Sequence, residues 1–193
     1  MPHSGIAIHD PRNAGVIEYF RPKPVTPESI LQSLTAAPGG RDPAALRMRA
    51  QRLAEAIARR PVGADPPLSQ SLAEVPDPWF GLRTHPDLIE IMWKWDDSLP
   101  QQCRWVLWGR PALVHPATGT VFAVGFGTIG IVLRLSPNAL EAPDPQLASA
   151  IKRGNFGRSY EIGSAGPEWR FIAPGPAAIT LCREAYDFAG KPL

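Results

Sequence analysis

The residues with the most chemical content are Gly125-Phe126-Gly127-Thr128-Ile129-Gly130, which reproduce the spacing G-x-G-x-x-G directly after the apolar run Val121 to Val124. In a dinucleotide fold such glycines turn a strand tightly into a helix whose N-terminus holds a pyrophosphate. The residues that follow argue against that use. Ile131 to Ser136 are rich in β-branched and apolar types and are stopped by Pro137, which leaves no room for a crossover helix. Ser149 to Lys152 stand where the acid that holds the ribose would be expected. Only 63 residues follow Gly130, too few for the rest of a doubly wound sheet. The stretch therefore reads as a glycine-punctuated hairpin, with a dinucleotide-binding enzyme as the second alternative, and no cofactor is expected.

A second constellation is the set Arg47, Arg49, Arg52, Arg59 and Arg60 on one expected helix. Guanidinium groups on a helix face can track phosphates through bidentate contacts, which makes nucleic-acid association the first alternative. Against it, the 193-residue chain carries 20 basic and 18 acidic side chains, and no helix-turn-helix pattern or interleaved aromatics accompany the arginines. A solvated face, or one that pairs with acidic groups, is the commoner use of such a row.

Six tryptophans all lie between Trp79 and Trp169. Trp93 and Trp95 stand two apart on a helix and so point to different faces; at least one is expected at the surface, where exposed Trp favours recognition. With the five arginines they form the expected binding surface. In the following strand Trp105 and Leu107 share one face and Val106 and Trp108 the other.

Nucleophilic and metal chemistry find little. The histidines are His3, His9, His85 and His115, and the cysteines are Cys103 and Cys182. Cys103 and His115 could meet across a hairpin, but a buried structural cysteine is the commoner case. No His, Cys or carboxylate pair has metal-ligand spacing, no Ser sits in a G-x-S-x-G elbow, and neither a metal nor a catalytic residue is expected.

The elements that must position these residues follow from Pro, Gly and periodicity. Twelve of the 23 prolines fall in residues 1–78. Residues 1–60 hold nine basic and five acidic groups, the remainder eleven and thirteen. Three parts are expected: an N-terminal extension over 1–62 with two short amphipathic helices, a Pro-rich linker over 63–78, and a compact domain over 79–190. Thr26 and Pro27 open the first helix, with Ile30, Leu31 and Leu34 as its apolar side and Gly39 and Gly40 as its end. Asp42 and Pro43 open the second, where Leu46, Ala50, Leu53 and Ile57 make one stripe.

In the domain, Thr84, Pro86 and Asp87 start a helix through Trp95. Arg104–Trp108, Ala112–His115, Thr120–Phe126 and Ile129–Leu135 follow as strands of an antiparallel meander. A short helix carries Leu147, Ala148 and Ile151. Tyr160–Ile162 and Glu168–Ile172 are expected as a further hairpin or edge. A last helix from Pro176 to Gly190 buries Ile179, Leu181, Cys182, Ala185 and Phe188. The sum is an α+β fold: an antiparallel meander sheet of four to six strands with helices packed on one face, preceded by a Pro-rich helical extension.

The segment Gly109-Arg110-Pro111-Ala112-Leu113-Val114-His115, with Val121–Val124 and Val132–Leu135, resembles the hairpin of the small TfoX N-terminal domains over fewer than thirty residues. The glycine-rich lead-in of that family is reduced here to Gly109, and no functional residue is carried over.

No unbroken apolar run approaches the ~20 residues of a membrane helix, and Met1 to Asp10 lack a signal-like pattern. Distant, unpaired cysteines fit a cytoplasmic protein. The expectation is a non-catalytic soluble protein-binding module, of the bacterial immunity type that neutralises a partner, acting on another protein and not on a membrane.

Overall fold

The computed structural model describes residues 8, 10–23, 26–35, 42–59, 66–141, 145–152 and 162–192. The chain divides into two compact units, one of residues 22–65 and one formed by Met1–Arg21 together with Pro66–Leu193. The expected extension over 1–62 is thus divided between the two units, and most of the expected linker over 63–78 falls in the larger one.

The larger unit is α+β. Its helices are α1 (Ala14–Phe20), α4 (Pro86–Asp97), α5 (Pro137–Glu141), α6 (Pro145–Ala150) and α7 (Pro176–Gly190). Its strands are β1 (Ser69–Gln70), β2 (Arg104–Leu107), β3 (Arg110–Val114), β4 (Val121–Phe126), β5 (Gly130–Arg134), β6 (Ile151–Lys152) and β7 (Trp169–Ile172). They form one sheet in the order β1-β2-β3-β4-β5-β7-β6, and every pairing is antiparallel. Five strands of four to six residues carry the meander, and the two-residue strands β1 and β6 border it. The register shifts between β3 and β4, where Leu113 pairs with Ala123 but Val114 with Val121. That bulge inserts Phe122 as an extra residue, which is why both Phe122 and Ala123 reach the same core.

As expected, the helices α4, α5, α6 and α7 pack on one face of the sheet, and the short N-terminal helix α1 lies on the other. On the first face, Val106, Leu113, Leu133 and Ile131 pack with Ile89 and Met92 of α4 and with Leu181, Cys182 and Ala185 of α7. On the second, Leu107, Ala112, Val124, Val132 and Phe171 pack with Val16 and Phe20 of α1 and with Ile162 and Ala165 of the 3-10 turn Ile162–Ala165. Residues expected in the N-terminal extension thus cover the second face of the sheet. Buried Asn13 fixes them: its amide nitrogen donates to the Gly119 carbonyl at 2.8 Å, and its oxygen accepts from the Val121 N–H at 2.8 Å. Asp10 adds an ion pair to Arg12 and accepts from the Thr120 hydroxyl at 2.7 Å. Arg12 in turn donates to the Lys191 carbonyl at 2.8 Å, so residues 10–13 and the end of α7 meet at the β3–β4 turn.

Several local expectations shift by a residue or an element. His85, not Thr84, caps α4, its Nδ1 accepting from the Asp87 N–H at 3.3 Å. Ile151 lies in β6 instead of the preceding helix, and Ile162 in the 3-10 turn instead of a strand; Tyr160 lies outside the described residues. In α7, Leu181, Cys182 and Ala185 are buried as expected, while Ile179 is exposed.

The smaller unit holds α2 (Pro27–Thr35) and α3 (Pro43–Ala58), which pack against each other. Thr26 accepts from the Ser29 N–H at 3.2 Å, and Asp42 from the Ala44 N–H at 3.0 Å, as their N-terminal positions require. In α3 the buried residues are Leu46, Ala50 and Ala54. The stripe is therefore rotated from the expected one, and Leu53 and Ile57 face outward. Small Ala50 and Ala54 let a neighbouring helix approach closely, which a Leu at the same contact would prevent. Gly39, Gly40 and Arg60 lie outside the described residues. No described helix is long and apolar enough to cross a membrane.

Candidate functional site

The glycine motif is a hairpin connection. Gly130 opens β5, so no helix N-terminus exists there to hold a pyrophosphate, and the dinucleotide alternative is overturned. Gly127 supplies the positive φ of the turn, at 56°. Gly125 serves close packing: a Cβ there would lie 2.7 Å from Pro111 Cγ and 2.9 Å from Thr84 Cγ2.

That packing belongs to a larger arrangement at the end of the sheet where β2 turns into β3 and β4 into β5. The β2–β3 turn consists of Trp108 and Gly109, both at positive φ (48° and 69°), as a two-residue hairpin turn demands. Trp is a strained residue in that position. The strain reverses the side expected for it: the indole packs on the core of Leu107 and donates to the Ile17 carbonyl at 2.9 Å. Beside it, the Arg110 guanidinium stacks on Phe20 and Phe126 at 5.3 and 5.5 Å from the ring centroids. Tyr19 lies 4.9 Å from Phe20 and 6.1 Å from Phe126, ring centre to ring centre. Burial and the nearby Arg83 charge lower the Arg110 pKa, and burial raises that of Tyr19.

Over this platform runs the loop 77–85. The Arg83 N–H donates to the Gly109 carbonyl at 2.8 Å, Arg110 donates to the Arg83 carbonyl at 3.1 Å, and the His85 N–H donates to the Gly127 carbonyl at 2.8 Å. Both hairpin turns thus hold the loop's C-terminal half. In its N-terminal half, one Asp77 carboxylate oxygen accepts from the N–H groups of Trp79 and Phe80, each at 3.1 Å. The Gly81 N–H closes the turn onto the Asp77 carbonyl at 2.6 Å. The result is a fixed knuckle that presents Phe80 79% exposed and Trp79 43% exposed, with exposed Arg83 alongside. Thr84 Oγ1 is buried beneath it without a hydrogen-bond partner.

The expected tryptophan surface is not at Trp93 or Trp95, which are 7% and 3% exposed and belong to the first core. Both indoles are covered: Trp95 packs into the first core and the Arg104 guanidinium lies over the Trp93 ring at 5.3 Å, while the exposed side of α4 carries Asp87, Glu90, Lys94 and Asp97. Arg104 is itself tied to buried Asp96 at 2.9 Å and to Asp97 at 2.5 Å. Asp96 also accepts from the Cys103 N–H at 2.7 Å; burial raises its pKa, and these partners oppose that shift. The aromatic pair that does reach solvent was signalled by its setting, Pro78-Trp79-Phe80-Gly81, two large apolar residues where Pro and Gly forbid a helix or strand core.

Of the five arginines, Arg47, Arg49 and Arg52 are exposed on α3, and Arg59 pairs with Glu55 at 3.9 Å at its C-terminal end. They lie in the smaller unit, and the knuckle lies in the larger.

Neither thiol is set up as a nucleophile. Cys103 and Cys182 are buried, and burial pushes each up to about 12. Cys103 Sγ donates to the Gln101 carbonyl at 3.1 Å, whereas the His115 ring stacks on Tyr186 and accepts from the Ala117 N–H at 3.3 Å. Burial lowers the His115 pKa. At the same end of the sheet Arg134 pairs with Glu168 at 3.2 Å and lies over Phe188. Among the described residues no group of three or more His, Cys, Asp or Glu could hold a metal.

No protein-family model matches the chain, and neither a curated protein nor a solved structure matches it.

Proposed function

We propose that this chain works by binding another protein, with the Trp79–Phe80 knuckle as its anchor. The observation that supports this most is the exposure of Phe80, 79%, on a turn whose backbone is held by Asp77 on one side and by both hairpin turns on the other. A large aromatic left in water by a rigid loop has already lost most of the conformational freedom that binding would remove. Such residues, with a nearby Arg, are the types enriched among interface hot spots. Arg83 beside it favours a partner whose apolar pocket has an acidic rim.

Burying Phe80 is worth roughly 1.5–3 kcal/mol, so removing it should weaken a complex about tenfold to a hundredfold. The test is affinity capture on immobilised full chain, with nuclease and high-salt washes, using the wild type and Phe80→Ser in parallel. A stoichiometric protein retained by the wild type and lost by the variant supports the proposal. A capture unaffected by Phe80→Ser, or one abolished by nuclease, refutes it.

A further inference from the structure

We infer that the outward face of α3 is a second docking surface, built for an acidic amphipathic helix of a partner protein. This inference stands on the smaller unit alone and is independent of Phe80. Ala45, Met48, Arg49, Arg52 and Leu53 line an open groove of about 410 Å³ on α3. Met48 is 60% and Leu53 41% exposed. The spacing interleaves the two chemistries: Met48 with Arg52 and Arg49 with Leu53 are neighbours at i,i+4, and Arg49 with Arg52 at i,i+3. Like charges so placed weaken a helix by themselves, and α3 does not compensate them. Its one acid, Glu55, is engaged with Gln51 and Arg59. Arg47, Arg49 and Arg52 make no ion pair among the described residues.

Charge and shape select the occupant. A helix with apolar residues at i, i+3 or i+4, and i+7 would lay them against Met48 and Leu53, and flanking Asp or Glu would meet Arg49 and Arg52. Methionine suits such a groove because its unbranched side chain repacks around different partners. A second copy of α3 would bring arginine against arginine and is disfavoured. Residues 22–65 hold seven basic and four acidic groups but no Phe, Tyr or Trp. The unit therefore lacks the stacking platform typical of single-strand binders and the aromatic anchors typical of interfacial membrane helices.

The experiment is a selection of the full chain against a displayed library of amphipathic helices whose flanking charges vary from acidic to basic. The enriched helices are then measured as labelled peptides by fluorescence anisotropy. Enrichment of acidic flanks is expected, with binding weakened about tenfold or more by Arg49→Glu/Arg52→Glu and by Met48→Ser/Leu53→Ser. Arg49→Lys/Arg52→Lys should retain most of the affinity. Far-UV circular dichroism of each variant confirms that α3 persists. No enrichment, neutral or basic winners, or winners indifferent to both double variants would overturn the inference. So would binding of duplex DNA or phosphatidylserine vesicles through the same arginines when acidic helices fail to bind.

Discussion

Replacing Asn13 by Ala would test whether residues 10–20 are part of the sheet domain or only lie beside it. The Asn13 side chain is fully buried and replaces a missing strand neighbour for two backbone groups, the Gly119 carbonyl and the Val121 N–H, both at 2.8 Å. Gly119 and Val121 are buried as well. Alanine leaves both groups unpaired, at about 1–3 kcal/mol each, and water entering the vacated space would recover part of that; a net loss of about 3 kcal/mol follows. For a domain of this size that lowers Tm by about 6–12 °C. All six tryptophans lie in the larger unit, so thermal unfolding followed by tryptophan fluorescence reports on that unit alone. Glu18→Ala, at an exposed position on the same helix, is the control and should change stability by less than about 0.5 kcal/mol. A shift below about 2 °C for Asn13→Ala, or equal shifts for both variants, would refute the claim that α1 is integral to the fold.

Three further predictions concern the same unit. Arg12 beside Asp10 holds its carboxyl well below the usual carboxylate range, so the stability it contributes is complete above about pH 4 and is lost as the pH falls further; Asp10→Asn should flatten the acid limb of a Tm-against-pH curve, and an unchanged limb would contradict the linkage. Gly125→Ala should cost about 1–3 kcal/mol by forcing Cβ against Pro111 and Thr84, measured by urea unfolding, and a variant as stable as wild type would dismiss that close approach. Cys103 and Cys182, both buried with pKa pushed up to about 12, should resist Ellman's reagent at pH 8 in the folded protein and react with two equivalents once it is unfolded; fast reaction of either thiol in the native state would contradict their placement.

The meander was legible because its signals are local. Pro137 and the β-branched run after Gly130 separate a strand from a crossover helix without any tertiary information, and β5 follows. Pro86 and Pro176 likewise fix the starts of α4 and α7. The N-terminal segment was not legible, because α1 is seven residues long and its place is decided by Asn13 bonding to a turn more than a hundred residues away. Periodicity put Trp93 and Trp95 on different faces of α4, but it cannot report that both indoles are covered. In α3 the pattern fits either Leu53 or Ala54 as the buried neighbour of Ala50, and close helix packing selected the smaller residue. The knuckle's setting between Pro78 and Gly81 stood in the sequence, but its exposure depends on Asp77 and on two hairpin turns that bond Arg83 and His85 from 26 and 42 residues further on.

The most direct test of the binding proposal is to place the photo-crosslinking residue p-benzoyl-phenylalanine at position 80, with the same residue at exposed Arg183 of α7 as control. The full chain is then irradiated in cell extract. The account predicts one discrete protein adduct from position 80 that is absent from position 183 and competed away by unlabelled wild-type chain. Adducts that are the same at both positions, or no protein adduct from position 80, would contradict it.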